Sequence, residues 1–366
     1  MRPFLAASAA AAVAVATKPQ CGLRSMTNLV TFGDSLTDET RILYFMEHDG
    51  QAPPPGTRFP PNNQTLSGGY AWGRLVANLS GAEYYNYGVG GATCSSKIAT
   101  KTFAGYNWTV PTVLEYQVPA FQQDLAVDGM FPDRKPDNTV YALWIGTNDL
   151  GWDAFLSDSM APGATLPDIV DCTWNSFDGV YSAGGRHFVV LNMLPLEHAP
   201  VYALPELGGP EHSQYWPGKY EYNVTQYNSK LRQYATSVNT MLEQGGLLEH
   251  TIKKRWPGAS LTVFDVNALL RDILEDPGAY LSYPANITGV YHSCPGEGAA
   301  PEDCVDSSFP LSSFFWYDDL HPTERVVRII AETFIKVVKM KSKYGHYYGE
   351  RSSSLTLGSI MKDRVV

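Results

Sequence analysis

Apolar positions along the chain fall into two alternating rhythms. Runs of strand length, Asn28–Phe32, Glu83–Val89, Thr139–Ile145, His187–Leu194 and Leu261–Val266, carry β-branched or aromatic side chains and stop at Gly, Asn or Pro, giving five candidate strands. Between them apolar residues recur at helical spacing, as in Trp72, Leu75, Val76 and Leu79, or Tyr227, Leu231, Tyr234, Val238 and Leu242. A last helix is predicted from about Pro322 through Val326, Ile330, Phe334 and Val337, with proline suited to its first turn. Strand and helix in alternation predict an α/β fold, a parallel sheet covered by helices on both faces, and such sheets bind ligands at the carboxyl ends of their strands.

Composition narrows the class without changing this outline. The 366 residues are 44% hydrophobic and 12% aromatic, enough for a large core, and no Gly/Ser-rich or Pro-rich linker divides them. Lys and Arg number 27 against 37 Asp and Glu, a formal net charge of −10 with no basic run, so nucleic acid is not an expected partner. Arg2 precedes an alanine-rich apolar run from Phe4 to Ala16 that closes on Ala14-Val15-Ala16. This reads as an export signal over residues 1–16, since small-x-small marks a cleavage site and the run is too short for a bilayer of about 30 Å. No later segment is apolar enough for stable membrane insertion, so a secreted, extracellular monomer is expected.

Export gives meaning to two other features. Five N-x-S/T triplets, at Asn63, Asn78, Asn107, Asn223 and Asn286, would meet the glycosylation machinery of a eukaryotic host. Of five cysteines, Cys294 and Cys304 close a short Pro- and Gly-containing loop and form the preferred bridge, while Cys21, Cys94 and Cys172 compete for a second. The eight histidines are scattered and no CxxC or HExxH occurs, so neither a metal nor a cofactor is expected. Residues 341–366 mix charge with Ser and Gly, show no clear apolar period, and are expected to be loosely ordered.

Three short stretches carry chemistry, and all fall at the predicted carboxyl edge. Gly33-Asp34-Ser35-Leu36 follows the first strand, Gly146-Thr147-Asn148-Asp149 the third, and Asp318-Asp319-Leu320-His321 lies in a loop before the last helix. Ser35 needs a base to become a nucleophile, and His321 can supply one. Asp318 reaches the imidazole only if the backbone turns between them, and would then fix its tautomer; Asp319 is the less favoured partner. An oxyanion formed at an attacked carbonyl needs preorganised donors. Candidates are the Ser35 amide, at the entry to a helix starting near Asp38, the amides of Gly88-Val89-Gly90-Gly91, and the Asn148 side chain. The glycine run fails as a dinucleotide fingerprint, because Thr93 stands at its sixth position and no suitable acidic residue follows. GxSxG is absent. Loops at this edge are rich in aromatics, among them Tyr106, Trp108, Tyr116, Trp152, Phe155, Tyr215, Trp216 and the Phe314–Tyr317 run, most of them suited to packing. Trp152 and Trp316, close in sequence to Asn148 and Asp318, are the preferred candidates for lining a substrate cleft.

Taken together, Gly-Asp-Ser-Leu around Ser35, a glycine in a second block, Gly-x-Asn-Asp around Asn148, and Asp-x-x-His-Pro from Asp318 to His321 resemble the blocks of the SGNH or GDSL hydrolases. The resemblance implies a flavodoxin-like three-layer α/β/α sandwich with a five-stranded parallel sheet, an esterase domain over residues 27–340, and a serine ester hydrolase without cofactor. It assigns Ser35, Asp318 and His321 as catalytic, and Ser35, Gly91 and Asn148 as the oxyanion hole. Gly91 is chosen by its spacing from Asn86; Gly88 and Gly90 stay open as alternatives. The signal segment, the length and Ser67-Gly68-Gly69-Tyr70-Ala71-Trp72 are similar to fungal secreted acetylesterases of carbohydrate esterase family 16. That likeness implies an acetylated plant-wall oligosaccharide or other small acyl ester as partner. The alternatives are a lipase or phospholipase acting on longer acyl esters, or an inactive carbohydrate-binding relative.

Overall fold

The computed structural model describes Leu23, residues 25–296 and residues 303–349; the export signal at 1–16, Cys21 and the end of the chain from 350 lie outside the described residues. Its first half runs β1 (Asn28–Gly33), α1 (Arg41–Glu47), α2 (Trp72–Ser80), β2 (Glu83–Asn86), α3 (Val118–Asp124), β3 (Thr139–Trp144), α4 (Thr147–Leu150) and α5 (Leu166–Ser182). There follow β4 (His187–Leu191), α6 (Val224–Gly245), β5 (Ser260–Phe264) and α7 (Val266–Glu275). Four short strands come next, β6 (Asn286–Val290), β7 (His292–Ser293), β8 (Val305–Asp306) and β9 (Phe314–Trp316), then α8 (Glu324–Val338) and β10 (Gly345–Tyr348).

The main sheet has the order β10-β5-β4-β3-β1-β2. β1 to β5 are parallel, as expected, and every residue of β1, β3 and β4 is buried, which is how a strand covered on both faces reads. The order 2-1-3-4-5 reverses direction at β1, so the carboxyl ends of β1 and β3 border the crevice of a doubly wound sheet. Helices form the outer layers: α2 packs against α8, while α3, α5 and α6 pack in a second row. α5 begins with a reciprocal cap in which the Thr165 amide donates to Asp168, and Asn223 Oδ1 accepts the Gln226 amide at the start of α6.

Several expectations need correction. The sheet gains a sixth strand, β10, which pairs antiparallel with β5 from within the segment expected to be loosely ordered. Its order rests on hydroxyl anchors, Tyr348 donating to Glu243 O at 2.7 Å and Tyr344 to Asp272 at 2.6 Å, which an apolar period does not register. β2 ends at Asn86, three residues before Val89, because the chain turns off into the glycine run. Leu79 is exposed, since the whole last turn of α2, residues 78–80, lies clear of the core. The helix after Ser35 starts at Arg41 and not near Asp38.

Cys294 pairs with Cys304, and the second described bridge joins Cys94 to Cys172, tying the end of the glycine run to α5 across 78 residues of chain. Closing a loop of that size restricts the unfolded chain, so replacing Cys94 and Cys172 together by alanine should lower unfolding free energy by roughly 2–5 kcal/mol. Chemical denaturation of the two proteins measures it, and equal midpoints would show that the bridge contributes nothing.

Candidate active site

Ser35 sits on a turn that the sequence builds tightly. Asp34 O accepts the amides of Thr37 and Asp38, both at 2.9 Å, and Asp34 Oδ1 accepts the Leu36 amide at 3.0 Å. Gly33 has φ +153°, and a Cβ there would lie 2.2 Å from Trp144 O, so the end of β1 requires glycine. Gln117 grips this end from both sides, accepting from Gly33 N at 2.9 Å and donating to Gly33 O at 2.7 Å. The amino end of α1 is not aimed at Ser35: the amides of Thr40, Arg41 and Ile42 all donate to the Asp38 carboxylate.

His321 reaches Ser35 across the carboxyl edge of the sheet, with Nε2 2.8 Å from Ser35 Oγ. The backbone makes the turn that Asp318 needs, and His321 Nδ1 lies 2.9 and 3.0 Å from the two Asp318 oxygens. Both side chains are buried, while Ser35 is half-buried. Burial alone would raise the Asp318 carboxyl, but the charge and hydrogen bond of His321, the Tyr215 hydroxyl and the Leu320 amide hold it below its ordinary range. Among the described residues Asp319 makes no hydrogen bond or ion pair with the imidazole, whose carboxylate partner is Asp318. Burial pushes the Asp319 carboxyl up to about 6, against the opposing effects of a Ser213 hydrogen bond and the Lys219 charge.

The donors expected beside Ser35 are narrowed by their partners. Gly88 N donates to Asn86 Oδ1 and Gly90 N to Asp38 Oδ2, both at 2.8 Å. Among the described residues the amides of Gly91 and Ser35 donate to no protein group. Gly91 has φ +79° and lies on the same cavity as Ser35 and His321. Asn148 Nδ2 donates to Ala92 O at 3.0 Å, and Lys101 Nζ donates to Asn148 Oδ1 at 3.4 Å and to Asp153 at 3.2 Å. These partners fix which way the amide faces and leave one of its two N–H groups unused.

The cavity at this edge measures about 640 Å³. Trp152 lines it and stacks on Trp216, with ring centroids 5.4 Å apart. Trp316 does not reach it. The Phe314–Trp316 run forms β9, and Trp316 is fully buried with Nε1 donating to Ile287 O at 3.1 Å. Sequence reading also missed Gln117 and Lys101, and it placed Tyr215 among the loop aromatics, most of them suited to packing, without a role for its hydroxyl. The pattern carries no signal for a single amide or ammonium that folding brings in from elsewhere. Among the described residues, the group of side chains close enough to share an ion is His292, Cys294 and Cys304, and those two sulfurs are bonded to each other.

The sequence profile described as GDSL-like lipase/acylhydrolase matches residues 29–334. The chain belongs to this family. An acetylesterase from Hypocrea jecorina is 39% identical over 320 residues, covering 87% of this chain and 91% of that protein. An acetylesterase from Thermothelomyces thermophilus is 27% identical over 312 residues, covering 83% and 85%. An acetylxylan esterase variant from Geobacillus stearothermophilus aligns at 14% identity with a TM-score of 0.40, covering 86% of this chain and 94% of that one, too distant to bear on function. The GDSL-family chain is thus a carboxylic ester hydrolase with acetylesterases among its relatives.

Two further acids of the GDSL-family blocks are neighbours of this site. Burial pushes Asp149 up to about 7 and Asp34 up to about 6, opposed chiefly by the Cys94 and Leu36 amides respectively. A folded value above the ordinary 3.8 means that the folded chain keeps a proton the unfolded chain has released. The Asp149 contribution to stability is therefore full below about pH 4 and lost as pH rises through about 7. Asp149→Asn, which stays neutral and can still accept from Cys94, should show a smaller fall in Tm across that window than the parent. An identical fall in both proteins would contradict this assignment.

Proposed function

We propose that this protein is an exported acetylesterase that removes acetyl groups from plant-wall oligosaccharides through an acyl-enzyme on Ser35. The observation that carries the reading is the continuous chain from Asp318 through His321 to Ser35 Oγ, closing at 2.8 Å, with uncommitted amides beside it. His321 takes the Ser35 proton as Oγ attacks the ester carbonyl, and Asp318 stabilises the imidazolium that forms. The carbonyl oxygen becomes an oxyanion facing the Ser35 and Gly91 amides and the Asn148 side chain. His321 returns the proton to the departing alcohol, leaving acyl-Ser35. Water then adds with His321 again as base, releasing the carboxylic acid and restoring the serine. Trp152, braced by Trp216, offers a flat ring to a sugar.

Ser35→Ala should reduce kcat for 4-nitrophenyl acetate by about a thousandfold or more and abolish labelling by a fluorophosphonate. A variant that turns over normally would remove the proposal.

The relatives named as acetylesterases favour a short acyl group, whereas Ile42, Met46, Leu66 and Phe103 give the cavity an apolar wall that would also receive a longer chain. The two readings separate on a series of 4-nitrophenyl esters. Acetyl should exceed octanoyl in kcat/KM, and the reverse order would assign a lipase-type enzyme. Release of acetate from acetylated xylo-oligosaccharides tests the acceptor. For export, Asn63, Asn78, Asn107 and Asn223 are exposed, as glycan attachment requires, and Asn286 is half-buried. The mass lost by the secreted protein on enzymatic deglycosylation measures their use in a eukaryotic host.

A further inference from the structure

The carboxylate behind His321 has a partner that the reaction as drawn does not use. The Tyr215 hydroxyl donates to Asp318 Oδ2 at 2.6 Å, and its ring meets the His321 ring edge-to-face with centroids 5.5 Å apart. The two Asp318 oxygens are otherwise unequally served. Oδ1 accepts the amides of Leu320 and His321 at 2.8 and 2.7 Å, whereas among the described residues Oδ2 takes hydrogen bonds from Tyr215 and the shared Nδ1 of His321 alone. A carboxylate turns easily about its last bond, so a donor on the second oxygen holds its plane against the imidazole.

The loop that brings Tyr215 there is itself held in place. Trp216 is buried among the rings of Trp152, Tyr202, Tyr222 and Tyr227, and Lys219 Nζ donates to Pro200 O at 3.4 Å. The neighbouring Asp319 carboxyl takes a hydrogen bond from Ser213 in the same loop. Burial and the Asp318 charge push the Tyr215 hydroxyl far above its ordinary range, so it keeps the proton it donates.

We propose that Tyr215 is a positioning residue for ester hydrolysis: by fixing the Asp318 carboxylate it holds His321 in line with Ser35. This rests on the catalytic reading above. Tyr215→Phe keeps the ring and removes one donor, and kcat for 4-nitrophenyl acetate should fall about tenfold with KM little changed. The downfield proton resonance of His321 Nδ1–H should shift in the same variant. Because the effect passes through Asp318, Tyr215→Phe should cost almost nothing further in an Asp318→Ala background. Should the phenylalanine variant fail to fold, the parent enzyme still tests the bond: the Tyr215 hydroxyl proton should resonate downfield and vanish in Asp318→Ala.

Parental kcat in Tyr215→Phe, a loss confined to KM, an equal loss in the Asp318→Ala background, or a missing hydroxyl resonance would each overturn the role. An inert Ser35→Ala beside a fully active Tyr215→Phe removes only Tyr215. An active Ser35→Ala removes the catalytic reading itself.

Discussion

A carboxylate taken out of water must be met by donors or keep its proton, and this constraint sorts the acids around the cavity. Asp34, Asp38, Asp149 and Asp318 are all buried. Asp318 gathers two amides, an imidazole and a phenol and is held below its ordinary range. Asp149 is met by backbone amides, chiefly that of Cys94, Asp38 by four amides, and Asp34 has one oxygen on Leu36 and the other without a partner among the described residues; burial outweighs these uncharged donors and drives all three toward the neutral form. Negative charge is thereby concentrated behind His321, where an imidazolium benefits from it. It is reduced near Ser35, where an anion would oppose the charge forming on a carbonyl oxygen.

The same acids tie the loops of the carboxyl edge to one another. Asp38 joins the glycine run to α1 through Gly90 N and the first amides of the helix. Asp149 joins the Asn148 turn to Cys94, and Cys94 is in turn bonded to Cys172 on α5. With β1 lying between β2 and β3, these loops are neighbours without any long excursion, so distant sequence blocks meet at a rigid sheet edge. Gln117 adds a brace at the end of β1 itself, holding both polar groups of Gly33.

The five parallel strands and the placement of Ser35, His321, Asp318 and Asn148 were legible in the sequence, because hydrophobic runs mark strands and the chemical blocks follow them directly. What was not legible depends on contacts between distant residues. Trp316 sits two residues before Asp318, and closeness in sequence suggested the cleft, but β9 ends at Trp316 with its ring buried and hydrogen-bonded to Ile287 O, and only the turn after it brings Asp318 to the site. β10 escaped because Tyr344, Tyr347 and Tyr348 combine partly buried rings with the hydroxyl bonds of Tyr344 and Tyr348, a pattern without a clear apolar period. Tyr215 was visible as a loop aromatic, but its hydroxyl partner lies 103 residues away. The choice among Gly88, Gly90 and Gly91 also waited on geometry, since three glycines look alike until two of their amides are seen to be engaged.

That last distinction bears on how the site would work. A fold ordinarily satisfies its amides, yet here the Ser35 and Gly91 N–H groups and one N–H of Asn148 meet no acceptor among the described residues and lie on the same cavity. Each is held by its surroundings: Ser35 by the Asp34 turn, Gly91 by a backbone that only glycine adopts readily, and Asn148 by Ala92 and Lys101. Donors fixed in this way need no reorganisation when an acceptor gains charge, whereas water around a free ester would have to reorient. The Lys101 ammonium on the amide oxygen of Asn148 draws electron density from its N–H groups and strengthens them as donors. In the proposed reaction these groups bind the carbonyl oxygen more strongly as it becomes an anion, which is the condition for lowering a barrier and not merely holding a substrate.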